Sequence, residues 1–193
     1  MGGDIRDIQT LIEDAFVDIQ RDDDCTLHQS QFSDTFGDFE ISDEEWNRLR
    51  DAERFRDPET DWRKVPAASL DECDAALSHA TPQCWCFYLP AYMRRALELL
   101  ETDLWFPDSM VFHLTSAHDS RSHLLPRFTL LDAVQQNAIV AFLEYVRDHP
   151  GDKYRSQAAA EALTSYWALP VAKRPTDQIL LLDGWRKGKS TPQ

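Results

Sequence analysis

Over the first twenty positions apolar residues recur at three- and four-residue steps: Ile5, Ile8, Leu11, Ile12, Ala15, Phe16 and Ile19. That stripe predicts an amphipathic helix from Asp4 to about Ile19, with Asp4 as its N-cap. The pattern breaks at Asp22-Asp23-Asp24. Phe32, Phe36 and Phe39 then lie scattered among polar residues, so 21–40 reads as a loop or irregular segment with anchoring aromatics. Ser42-Asp43-Glu44-Glu45 has the form of a capping box and predicts a second helix, with Trp46, Leu49 and Phe55 turned inward. A third opens at Ser69, its inner face formed by Leu70, Cys73, Ala76 and Leu77.

Thr81-Pro82 is a strong helix start, because proline at the first helical position loses no hydrogen bond. The helical stretch Gln83–Glu101 contains Pro90, which predicts a kink or break near Leu89. Ser109–Thr115 has β-leaning composition and is the best strand candidate; Ser116–His123 reads as a loop. Thr129 caps a long helix to about Asp148, stopped by Pro150-Gly151, and a further helix runs from about Tyr154 to Leu169. Ile179–Leu182 suggests a short strand or an apolar anchor. The predicted fold is mainly α: a single helical domain of five to seven helices over residues 1–170, with a minor β element near residues 109–115. Residues 21–60 form an acidic, partly irregular segment, and 171–193 a C-terminal extension.

With 42% apolar residues, six Trp and ten Phe, the 193-residue chain can bury a sizeable core. No run of apolar residues is long enough to span a bilayer, and the N-terminus lacks the basic-then-apolar order of a secretory signal. Four cysteines in a chain of this size do not suggest a disulfide scaffold, so reduced thiols and a cytoplasmic location are expected.

Charge changes the picture most. Residues 1–80 hold 22 Asp and Glu against 8 Lys and Arg, whereas 81–193 hold 12 of each, so the entire net charge of −14 belongs to the first 80 residues. Such a surface repels phosphate backbones, which argues against nucleic-acid binding, and attracts basic partners.

Catalytic and cofactor motifs do not emerge. Cys73, His79, Cys84 and Cys86 cluster as zinc ligands can. On a helix, however, Cys84 and Cys86 lie about 200° apart and cannot reach one ion. His113, His118, Asp119 and His123 have no nucleophile elbow or metal signature around them. Glycine is too scarce for a phosphate-binding loop, and Asp22-Asp23-Asp24 lacks the alternation and closing Glu of a calcium loop. No metal or cofactor is therefore expected. The aromatic run Trp85, Phe87, Tyr88 and Tyr92 around Pro90 reads first as the centre of a core and second as the lining of a pocket.

The segment Thr81-Pro82-Gln83-Cys84-Trp85-Cys86-Phe87-Tyr88-Leu89-Pro90-Ala91-Tyr92-Met93 resembles the TPEAFRFYLPAYL signature of a bacterial family of unknown function. The resemblance extends over roughly 5–168: Ile12, Ala15 and Phe16; Trp62, Pro66 and Leu70; Val111, Phe112 and Leu114; Gln135, Ala138, Ile139, Phe142, Leu143 and Tyr145; and Ala162, Leu163, Tyr166 and Trp167. It implies a shared fold and brings no activity with it. The family pattern has ordinary helix residues where Cys84 and Cys86 stand. Asp38–Pro58 is longer and more acidic than that pattern.

Two functions are expected from these readings. The leading one is an acidic protein-binding module, an immunity or antitoxin-like protein neutralising a basic toxin or effector. Its contact residues would be Asp22, Asp23, Asp24, Asp34, Asp38, Glu40, Asp43, Glu44 and Glu45. The alternative is an enzyme or small-ligand-binding protein with a pocket near Tyr88, Tyr92 and His113.

Overall fold

A computed structural model describes residues 4–21, 25–36, 41–102, 105–115, 125–149 and 151–174. Among them the fold is helical, without strands. Ten α-helices follow in order: α1 (Ile5–Ala15), α2 (Leu27–Phe36), α3 (Asp43–Glu53), α4 (Ala67–Glu72), α5 (Ala76–His79), α6 (Pro82–Leu99), α7 (Trp105–His113), α8 (Leu125–Phe128), α9 (Ala133–Asp148) and α10 (Lys153–Ala162). Seven of these have nine residues or more, and three are short turns, which is how the count exceeds the five to seven expected. No helix among the described residues is long and apolar enough to cross a membrane.

α6 is the axis. Twelve of its residues are buried, including Trp85, Phe87, Leu89 and Met93 at 0% exposure. Thr81 caps it by accepting from the Cys84 amide at 3.3 Å. The helix continues through Pro90 rather than breaking there. An interior proline costs about 3 kcal/mol. Full burial of each large apolar side chain contributes about 1.5–3 kcal/mol, and α6 buries enough of them on both sides of Pro90 to hold it helical. α1 lies against α6 and α9 through Ile12 and Phe16, and the Phe16 carbonyl accepts from Trp62 Nε1 at 2.9 Å. α9 opens with a capping box between Asp132 and Gln135, three residues beyond Thr129, and packs Ile139, Phe142, Leu143 and Val146 into the same core. α10 ends in a π-helical turn, Leu163–Trp167, whose Trp167 donates to the Leu114 carbonyl at 2.7 Å.

Three expectations are corrected. The β element near 109–115 is instead the body and end of α7. Pro107 sits in its first turn, where proline is tolerated, and Phe106, Met110 and Val111 face the core while Trp105 and Phe112 are exposed. The segment 21–40, read as irregular, contains α2. Phe55 points out, 87% exposed, because the chain tightens into a 3-10 turn at Arg54–Arg56. Ile179–Leu182 lies outside the described residues.

One buried cation ties the short helices together. Arg127, 6% exposed, donates to the carbonyls of Leu77 (2.8 Å), Ser78 (3.1 Å) and Ala80 (2.8 Å), which end α5 without helical partners. Each carbonyl stranded in the interior costs about 1–3 kcal/mol. Arg127→Ala is therefore expected to destabilise the protein by about 3 kcal/mol or more, a fall in Tm of roughly 6–12 °C on thermal unfolding. Lys, a single point donor, should restore only part; full recovery by Arg127→Lys would refute the three-carbonyl account.

Candidate functional site

Of the nine expected contact residues, Asp22, Asp23, Asp24, Asp38 and Glu40 lie outside the described residues. The other four do not form a continuous run. Asp34, on the exposed face of α2, holds His79 Nε2 at 3.2 Å. Asp43, Glu44 and Glu45 make the first turn of α3, where Ser42 caps the helix and acidic groups favour its positive end. Glu45 is gripped by Arg48 at 2.6 Å and 2.8 Å, which holds its carboxyl below the usual range. Asp43 and Glu44 are exposed and make no ion pair with another described residue.

Arginines draw in much of the remaining acid. Arg56 bridges Glu53 and Glu72, Arg63 holds Asp61, Arg95 holds Asp71, and Arg94 reaches Glu13. This pairing, which draws Arg94 and Arg95 from beyond residue 80, organises the surface and leaves the net charge of −14 in place.

The most constrained polar group in this region is a histidine that sequence reasoning missed. His28, on the first turn of α2, is 4% exposed and so is Asp57. Asp57 takes the His28 amide on Oδ2 at 2.8 Å and the ring Nδ1 on Oδ1 at 2.6 Å. The carboxylate fixes both backbone and ring. The other ring nitrogen, Nε2, is buried without a hydrogen-bond partner, 3.8 Å from Glu72 Oε2. His28 borders a cleft of about 260 Å³ that is also lined by Gln31, Phe32, Thr35, Glu53, Arg56 and Glu72. Residues 28 and 57 are 29 positions apart and separated by a helix, so no local motif could have announced the pair.

Behind His28 lie two thiols. Cys25 Sγ is 3.0 Å from Ser30 Oγ, and Cys84 Sγ donates to the Cys25 carbonyl at 3.3 Å. Hydrogen bonding from Cys84 pulls the Cys25 thiol below its ordinary value, and the same contact together with burial pushes Cys84 well above it. Burial pushes Cys73 and Cys86 up to about 12. Cys86 instead faces the Arg127 carbonyl, so Cys84 and Cys86 do point to different neighbours. Among the described residues no three His, Cys, Asp or Glu side chains form a group that could hold a metal ion.

A second cleft, about 380 Å³, lies beside α7 and is bordered by His113, Asp74, Ser78, Trp105, Asp108 and Phe112. Trp105 donates to Asp74 at 2.8 Å. Tyr88 and Tyr92, expected near such a pocket, are buried at 2% exposure and are not in its lining. Tyr92 stacks on Phe106 and its hydroxyl donates to the Cys73 carbonyl. His118, Asp119 and His123 lie outside the described residues.

The thiol chemistry can be checked by iodoacetamide labelling across about pH 5.5–9, read by peptide mass spectrometry. Cys25 should label first among the four, with a midpoint below that of an ordinary thiol, near 8.5. Cys84→Ala should move that midpoint upward. Equal labelling of Cys25 and Cys73 at neutral pH would contradict the assignment.

No curated protein and no solved structure matches the chain. A family model does, over residues 4–171, a span that takes in every described α-helix. The chain belongs to the family of unknown function DUF6714.

Proposed function

We propose that the protein is an acidic binding module for a basic protein partner, of the immunity or antitoxin kind, acting in the bacterial cytoplasm. The observation that carries this reading is the excess of 22 acidic over 8 basic residues within the first 80, which internal pairing cannot cancel. A field of one sign speeds the encounter with an oppositely charged protein and rejects partners of like charge. Of the expected contact residues, α2 carries Asp34 and α3 carries Asp43, Glu44 and Glu45, with Asp43 and Glu44 exposed at the start of α3. Phe55, 87% exposed just beyond α3, offers the kind of aromatic anchor that dominates interface energetics.

A second reading, an enzyme or small-ligand protein, is favoured by the cleft beside α7, where an exposed tryptophan and a histidine share one wall. Asp108 there is held by Arg155 at 2.5 Å.

The first reading is tested by purifying the partner from the native cell and measuring its affinity at about 50 and 300 mM salt. A strongly basic partner is expected, its binding at least about tenfold weaker at the higher salt. The double charge reversal Asp43→Lys with Glu44→Lys should slow association, and Phe55→Ala should speed dissociation, with both variants folded by circular dichroism. A neutral or acidic partner, or affinity indifferent to salt, would sink the proposal.

A further inference from the structure

We propose that the cleft bordered by α2, α3 and α4 is a receptor for one protonated amine or guanidinium, the end of a lysine or arginine side chain on the partner, held between His28 Nε2 and Glu72 Oε2. This rests on the basic-partner reading above and names where such a partner would be recognised.

The tautomer is set from within. Nδ1 faces the Asp57 carboxylate at 2.6 Å, so the proton of the neutral ring belongs on Nδ1. Nε2 is then an acceptor with its lone pair directed away from Asp57. The His28 amide, donating to the other oxygen of the same carboxylate, fixes that carboxylate against the ring. Second-sphere carboxylates orient functional imidazoles in this way.

That acceptor has no partner within the fold. His28 is 4% exposed and Nε2 finds no hydrogen-bond partner. A buried polar atom without a partner is destabilising, and native structures rarely leave one so without a reason. Glu72 presents a second acceptor beside it. Its Oε1 is engaged by Arg56 at 2.5 Å, while Oε2 lies 3.8 Å from Nε2. Two acceptors cannot bond to each other, but one nitrogen carrying two or more hydrogens can donate to both at ordinary lengths of about 2.9 Å.

Charge selects the sign of the guest. The charged groups around His28 are Asp57 just after the 3-10 turn, whose own carbonyl accepts from Arg21 at 2.5 Å, Glu53 at the end of α3, Arg56 on the turn and Glu72 on α4. Three carboxylates against two guanidinium groups leave one carboxylate in excess around a neutral ring. Arg56 is committed to Glu53 and Glu72, so it is not free to receive an anion. The cleft, about 260 Å³, suits a single long side chain, and Phe32 offers its stem an apolar wall. All seven lining residues fall between 28 and 72, within the acid-rich stretch that the partner reading already uses.

The test uses the full chain labelled with 15N in histidine, titrated at about pH 7.5 with N-acetyl-arginine methylamide and N-acetyl-lysine methylamide. The Nε2 resonance of His28 should shift and saturate, with a Kd of about 1–10 mM for a single small cation. Glu72→Gln, at an exposed position that should not disturb folding, should weaken this at least about fivefold. No shift with either cation, a shift insensitive to Glu72→Gln, a larger response to phosphate, or a His28 already doubly protonated at about pH 7.5 would each overturn the proposal. The Glu72→Gln protein also separates the two readings. If it keeps full affinity for a basic partner, the cleft proposal fails and the partner reading stands. If the cations bind the cleft but the partner proves neutral or acidic, the cleft stands and the partner reading fails.

Discussion

The burial of α6 on nearly every side is the constraint from which the architecture follows. From Cys84 to Met93 every residue of α6 is buried, so this stretch has no polar face to give to water and other helices must wrap it. α1, α4, α5, α7 and α8 all pack on it. Phe128 of α8 meets Trp85 of α6 on one side and Tyr166 and Trp167 of the π-helical turn on the other, at centroid distances of 4.6–5.7 Å. The chain between the long helices is short of regular length because it is shaped to this cylinder. Three helices of six residues or fewer fit around it where longer ones would overrun.

Wrapping in short pieces leaves many helix ends in the interior, and the two buried arginines answer that need. Arg127 closes the end of α5, and Arg155, 5% exposed, joins the Leu100 carbonyl at 2.9 Å to Asp108 on α7. Burial draws the Arg127 guanidinium below its ordinary value, a cost offset by three carbonyl acceptors. Arginine suits this role because its planar fork reaches several acceptors at once. The cations of the C-terminal part therefore do two separate things: some are internal staples, while Arg94 and Arg95 reach across to Glu13 and Asp71 of the acid-rich part.

How much of this was legible in the sequence depended on whether a residue acts locally. Asp4, Ser42 and Thr81 were readable as caps because a cap bonds an amide two or three residues on. α1 and α9 were readable because their buried residues are apolar and periodic. α2 was not, since of the buried residues 25–30 at its start only Cys25 and Leu27 are apolar, while Thr26, His28, Gln29 and Ser30 are polar groups that hydrophobic periodicity counts as surface. α7 was misread because Val111, Phe112 and Thr115 favour strands by composition, while its buried set, Phe106, Met110 and His113, keeps helical spacing only when the window starts before Pro107. The same limits hid the His28 cleft. Its pattern is created when Asp57 and Glu72 arrive from distant positions, and none of the three stands in a motif.

Charge excess and internal pairing describe different scales of the same surface. Within a few ångströms, Arg56 satisfies Glu53 and Glu72 and fixes their side chains. Exposed pairs of this kind contribute about 0–1 kcal/mol each, so they do little to stabilise the fold. Beyond about one Debye length, roughly 8–10 Å, an ion pair is nearly neutral and only the unmatched carboxylates are felt. The surplus over residues 1–80 thus persists at the distance where a second molecule first arrives, and it carries a cost in self-repulsion that the folded chain must bear. Pairing adds something the surplus alone lacks. By holding Glu72 Oε1, Arg56 leaves Oε2 facing His28, so a diffuse negative field ends at one defined pair of acceptors. Long-range attraction without such an endpoint gives encounter without selectivity, and a fixed acceptor pair without the field gives selectivity without speed.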